Sequence, residues 1–254
     1  MEPVVARVIP FVLILGRISA FFAVLPLWSF RGVPMHIRAA LALIVSLVFA
    51  FLLPVAPATA VPNHLLGAAL VLVREMLCGL ALGLAVALVF AAIRQTGEII
   101  QMQMGLADAE IIDPLSGNES EPVGLLFEMA FLVLFLAAGG HHLLLAMIMR
   151  SYEAFPIGQT PSVAVMASAI LQAGSLMLVF GLKLAAPLLA GFLLLAVALA
   201  VLARALPEMN ILLASLPLRV GLGFILAAAL VPALGDFTAQ IADWLNRFLP
   251  AAGA

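Results

Sequence analysis

Apolar runs without a formal charge occupy Ala39 to Leu53, Met76 to Ile93, Met129 to Met149, Ala154 to Leu182, Leu184 to Ala203 and Val220 to Gly235. Another, Val8 to Phe30, is interrupted only by Arg17. Several reach the roughly 20 residues with which a helix crosses a bilayer, and others fall short. The chain is 66% hydrophobic and 9% charged, where a soluble domain carries about 25% charged residues. The expected fold class is all-α, a polytopic membrane protein of about six to eight kinked helices.

The first residues do not read as a cleaved leader, because Glu2 makes them acidic as well as basic and no small-x-small site follows before Pro26 and Trp28. They are expected to form a retained first helix. Cys78 is the single cysteine, so an intrachain disulfide is excluded; it is expected to pack among apolar neighbours. A net charge of -2 argues against nucleic acid. Ser29 to Arg38 reads as a short basic loop, and Pro54 to His64 as an uncharged proline-rich one. The positive-inside rule puts the first in the cytoplasm, on the strength of Arg31 and Arg38 alone.

From Ser162 to Arg204 no polar turn separates two helices. A continuous helix of that length would run roughly 60 Å, about twice a hydrocarbon core, so it must bend, break or leave the lipid. Gly181, Pro187 and Gly191 offer places to break it. Gly79 and Gly83 form a G-x-x-x-G spacing that lets two helix backbones approach, although small residues are also common throughout membrane helices.

Five charges lie within or at the edges of apolar runs: Arg17, Arg74, Glu75, Glu128 and Lys183. Each costs about 2.5 to 3.5 kcal/mol at mid-helix if unpaired. Arg74 and Glu75 point about 100° apart on one helix, so each must find its partner on another helix or another chain. For Arg17 and Glu128 the alternative stays open that they sit near helix ends and snorkel to water.

Nothing in the sequence resembles a catalytic or metal-binding constellation. His141 and His142 are consecutive, and Ala137, Ala138, Leu145 and Ala146 surround them at helical spacing. No H-E-x-x-H, G-x-S-x-G or Walker loop occurs, and no cofactor, metal or enzymatic activity is expected. No internal repeat of the kind that builds secondary transporters is evident. A transporter and a pure assembly scaffold stay open as other readings.

The polar exception is QMQMGLADAEIIDPLSGNESEP, Gln101 to Pro122. Between Arg94 and Pro122 lie Glu98, Asp108, Glu110, Asp113, Glu119 and Glu121. Placing them in lipid would cost on the order of 15 kcal/mol. Met102, Met104, Leu106, Ile111 and Ile112 make the same segment apolar for a plain solvated loop. The mixture suits a segment lodged in a water-accessible cavity within protein, with an ordinary solvated loop as the alternative. Further on, Phe237, Ile241, Trp244, Leu245 and Phe248 share one face of a candidate amphipathic helix over Asp236 to Leu249, expected to dock on a partner.

Three segments carry a family resemblance. QMGLADAEIIDPLSGNESEPVGLLFEMAFLVLFLAAGGHHLLLAMIMRSYEAFPIG has a Q-M-G-L start, a D-P-x-x-G-x-x-x-x-P loop, a helix ending in G-H and an S-[FY]-x-x-x-P-x-G close. ARALPEMNILLASLPLRVGLG, and Arg17 with Phe22 and Pro26, supply the other two. Together they resemble the FliR/SctT family of flagellar and virulence type III export-gate membrane proteins, over nearly the whole chain.

The resemblance implies a single integral export-gate domain over 1-254. Residues 1-175 would be FliP-like, and 176-254 a FliQ-like helical hairpin with a C-terminal helix. It implies FliP-like and FliQ-like partner subunits, an FlhB-like subunit, contact with membrane lipids, and unfolded flagellar proteins as substrates. The location implied is the bacterial inner membrane at the flagellar basal body, or the equivalent place of a virulence system for its SctT members. It also implies a pore plug over Leu106 to Pro122, including Asp108, Ile111, Ile112, Asp113, Pro114, Gly117 and Pro122, with Met102 and Met104 beside it. Glu208 stands where the family pattern has glutamine.

Overall fold

The computed structural model describes residues 2–26, 34–53, 65–105, 122–159, 161–206 and 215–230, with 232, 234–235 and 240 beyond them. Among these residues the chain is helical throughout its regular structure. The helices are α1 (Glu2–Val24), α2 (Met35–Leu52), α3 (Leu65–Met104), α4 (Pro122–Ala137), α5 (Gly140–Ala154), α6 (Val163–Ala205) and α7 (Ser215–Leu230). α2, α3 and α6 are each long and apolar enough to cross a membrane, and α4 with α5 form a broken pair. The Asp236 to Leu249 amphipathic segment lies, apart from position 240, outside the described residues.

Contacts divide the chain into two compact units. One comprises Met1–Val89, Gly139–Gly174 and Ile241–Ala254, the other Phe90–Ala138 and Ser175–Gln240. In the first, α1 packs along α2 and against the N-terminal part of α3. Gly79 and Gly83 make the second contact possible. A Cβ on Gly79 would run into the backbone carbonyl of Arg17, and one on Gly83 would lie 2.7 Å from the carbonyl oxygen of Phe21. The missing side chains are what let the two backbones meet. Leu13, Ile14, Ile18 and Phe21 of α1 and Ala85 of α3 are buried.

The second unit is centred on aromatic rings. Phe90 of α3 meets Phe131 and Phe135 of α4 edge-on, with ring centroids 5.0 and 5.5 Å apart. Such T-shaped pairs are worth about 0.5–1.5 kcal/mol each beyond the area they bury. α6 joins this core through Gly181, where an added Cβ would sit 3.3 Å from the carbonyl oxygen of Ala92. Gly191 joins it to α7, where a Cβ would meet Leu226 at 2.9 Å.

These contacts correct one expectation. The Ser162 to Arg204 region does not break at Gly181, Pro187 or Gly191; α6 is a single helix of 43 residues with Pro187 inside it. The two glycines are spent on close packing rather than on turns. At 1.5 Å per residue α6 runs roughly 64 Å, so it extends well past a hydrocarbon core about 30 Å thick.

Two boundaries also fall elsewhere than the apolar runs suggest. Met35 to Arg38 is not loop: α2 begins at Met35, with the Pro34 carbonyl accepting from the N–H groups of Ile37 and Arg38. The Met129 to Met149 run is cut at Gly139, whose φ of 80° a side chain would disfavour. That residue ends α4, and its carbonyl accepts the His142 N–H at the start of α5.

Candidate functional site

Two arrangements of polar groups stand out, one in each unit. The first is built on Arg17, in the second half of α1. Its Nε donates to Glu75 Oε2 of α3 at 2.6 Å. One terminal nitrogen donates to the Ser151 carbonyl, the Ser151 hydroxyl and the Phe155 carbonyl at 3.2 to 3.3 Å, and the other to the same Phe155 carbonyl at 3.3 Å. The guanidinium also lies over the Tyr152 ring, 4.1 Å from its centroid. Glu75 accepts a further bond of 2.8 Å from the N–H of Gly158.

Local sequence explains why these groups converge. Ser151 closes the last turn of α5, and the Phe155 N–H caps that helix on the Ser151 carbonyl. Pro156 and Gly158 then turn the chain; the φ of 84° at Gly158 suits a residue without a side chain and aims its N–H at Glu75. The pair is 1% and 0% exposed. Taking such charges out of water is costly, and here all three guanidinium nitrogens donate to oxygens, the condition under which a buried pair holds. With both charges enclosed, the cluster has no open face for a substrate. It ties α1, α3 and the end of α5 together.

The second arrangement lies at the base of the acidic segment. Gln101, in the last turn of α3, accepts the backbone N–H of Val123 on its side-chain oxygen at 3.2 Å, so it serves an unpaired N–H of the first turn of α4. One turn earlier, a Cβ on Gly97 would lie 2.7 Å from the Cα of Gly124, so the two helices touch through glycine. Arg94 pairs with Glu98 at 3.0 Å and approaches Glu128 at 3.8 Å. The end of α3 and the start of α4 therefore lie side by side.

Of the charges singled out in sequence, Arg17 and Glu75 meet one another. Arg17 does not snorkel: it is among the most buried side chains of the chain. Glu128 is partly covered beside Arg94. Arg74 and Lys183 are exposed, with no ionic partner among the described residues. Cys78 is buried, with a free thiol.

Met102 and Met104 belong to the last turn of α3. Met102 is exposed, whereas Met104 is buried against Gly223 of α7. Pro122 opens α4. Leu106, Asp108, Ile111, Ile112, Asp113, Pro114 and Gly117 lie outside the described residues. His141 and His142 are exposed with their rings 4.0 Å apart. No group of His, Cys, Asp and Glu among the described residues could hold a metal ion.

Sequence reasoning missed Ser151, Tyr152, Phe155 and Gly158 as partners of the ion pair, and Gln101 as a cap. The S-Y-x-x-x-P-x-G stretch was visible as a motif, but nothing in it tells that its carbonyls face Arg17.

Residues 8–244 match the family described as "Bacterial export proteins, family 1". The chain is 35% identical over 221 residues to the flagellar biosynthetic protein FliR of Escherichia coli K12, covering 87% of this chain and 84% of that one. It is 30% identical over 225 residues to FliR of Pectobacterium carotovorum, covering 89% and 85%. To FliR of Bacillus subtilis it is 31% identical over 219 residues, covering 85% and 83%.

Proposed function

Because the chain belongs to the bacterial export proteins of family 1, as its match over residues 8–244 shows, we propose that it is the subunit that gates the flagellar protein-export channel. It is a membrane protein of the flagellar export apparatus. In the proposal it sits in the inner membrane at the basal body and joins FliP-like, FliQ-like and FlhB-like subunits. Residues 1-175 take a FliP-like place and 176-254 a FliQ-like one. Unfolded flagellar proteins pass through the resulting pore, and the chain itself carries out no chemistry.

The observation that supports a gating role is the contact between the two helix ends that flank residues 106–121. Gln101 on Val123, and Gly97 on Gly124, hold the two ends of an acidic segment together at one place in the fold. Charge keeps such a segment out of lipid, and apolar residues such as Ile111 and Ile112 can close a constriction by dewetting. The relatives reported above carry flagellar names, which favours flagellar over virulence export.

The test replaces residues 106–121 by a short Gly-Ser linker, leaving Gln101 and Val123 in place. In the assembled complex this should raise passive permeability to ions and small solutes, and Ile111→Ser with Ile112→Ser should do so more mildly. Unchanged permeability in a fully assembled complex would make the segment a solvated loop.

A further inference from the structure

α6 is too long for one bilayer, and its charges divide it. Lys183 and Arg204 are its cations, and both are exposed. Arg204 follows Lys183 by 21 residues, roughly 31 Å of helix and close to the thickness of a hydrocarbon core. Residues 184–203 between them hold no side chain that can donate or accept a hydrogen bond. Leu193, Leu194, Val197 and Val201 of that stretch are 55% to 72% exposed. The half before Lys183 is equally long but differs: Ser168, Gln172 and Ser175 lie on its exposed surface, and no cation stands between Phe155 and Ser162 to bound it.

Other polar groups gather at the height of Lys183. Pro187 has no N–H to return to the Lys183 carbonyl, four residues earlier. On α3, Ala92 and Gln95 face Gly181, and the Thr96 hydroxyl donates to the Gly181 carbonyl at 3.3 Å. Arg94, 46% exposed and paired with Glu98, is thereby set level with Lys183. Charges from two helices at one height mark a boundary with water, where long cationic side chains reach the headgroups.

We infer that lipid hydrocarbon covers residues 184–203 of α6, with Lys183 and Arg204 in opposite headgroup layers, and that residues 163–182 stand outside the hydrocarbon. Phospholipid acyl chains are the occupant of the face made by Leu193, Leu194, Val197 and Val201. The end of α3 then falls inside the bilayer thickness. α7 meets α6 at Gly191 through Leu226, and meets α3 at Met104 through Gly223, one turn away on the same helix. Gly191 lies about 12 Å past Lys183 along α6, and Met104 shares its depth to within a turn. A helix may end at that depth only with protein around it. Gln101 and Met104 are accordingly 4% and 1% exposed, against α4 and α7. This placement needs only that the chain is a membrane protein, and stands or falls apart from the gating role.

The experiment uses the unaltered full-length chain in its native membrane, into which two photoreactive phosphatidylcholines are introduced. One carries a diazirine at the end of an acyl chain, the other in its headgroup, and adducts along α6 are mapped by peptide mass spectrometry. The acyl probe should mark Leu193, Leu194 and Val197 and leave residues 163–182 unmarked. The headgroup probe should mark two places, one beside Lys183 and one beside Arg204. Acyl adducts on residues 163–182 at a yield matching that on 184–203 overturn the inference. So does a headgroup pattern confined to one of the two cations. An absence of acyl adducts on residues 184–203 overturns it too, because a neighbouring protein or water would then cover that face.

Discussion

Arg17→Met, which keeps most of the side chain's length and removes its charge, should be among the most damaging single changes in the chain. It leaves Glu75 enclosed, still accepting from the Gly158 N–H but no longer from the guanidinium, and strips the Phe155 carbonyl of both guanidinium bonds. Removing one partner of a buried pair costs about 3–5 kcal/mol, and loss of the contact with Tyr152 adds on the order of 1 kcal/mol. Glu75→Gln should cost less, about 1.5–3 kcal/mol, because an oxygen still faces the guanidinium. The double change Arg17→Met with Glu75→Leu should recover at least about 2 kcal/mol relative to Arg17→Met alone, since no uncompensated charge then remains. The assay heats a fluorescent fusion, co-expressed with its partner subunits, and follows the folded fraction by size exclusion. Additive losses in the double change would refute the reasoning, as would an Arg17→Met loss below about 1 kcal/mol, the range of an exposed pair.

Other outcomes follow from the packing. Gly79→Val should prevent the α1–α3 crossing and abolish accumulation of the chain, measured by immunoblot of membranes. Gly174→Ala, where an added Cβ meets nothing within 4 Å, should be neutral or stabilising by about 0.5–1 kcal/mol in the same thermal assay. Gln101→Met should cost about 1–3 kcal/mol by leaving the Val123 N–H unserved, and should make the 106–121 segment cut faster by added protease. Truncation after Gly235 should weaken co-purification with partner subunits, because it removes the apolar face of Phe237, Ile241 and Trp244; undiminished co-purification would mean that face docks elsewhere.

The helices were legible in the sequence because long uncharged runs leave a chain in lipid few other options. Their ends were less so. The break at Gly139 sits inside one apolar run, and the side chains around it do not differ from those of a continuous helix. Glycine in α6 misled for a related reason: Gly181 and Gly191 look alike as helix breakers and as packing surfaces, and only the facing Ala92 and Leu226 decide between the two.

That Arg17 and Glu75 each needed a partner could be argued from the cost of a lone charge. That they needed each other could not, with 58 residues between them. Half of the cluster was out of reach in principle, because the Phe155 carbonyl and the Gly158 N–H belong to the backbone, which every residue carries. The residues expected to seal a pore were chosen for their mixture of charge and apolar bulk; most lie outside the described residues, and Met104 is buried against Gly223 of α7.

The Arg17 cluster also sets a clock. The groups that receive the guanidinium follow it in the chain by 58 residues for Glu75 and by 138 for Phe155. At 5–20 residues per second, synthesis reaches Glu75 roughly 3 to 12 s after Arg17, and Phe155 roughly 7 to 28 s after it. For that interval α1 carries a bare charge within an otherwise apolar stretch, which water or the insertion machinery has to shelter. The surroundings of Arg17 are thus incomplete until the end of α5 has been made.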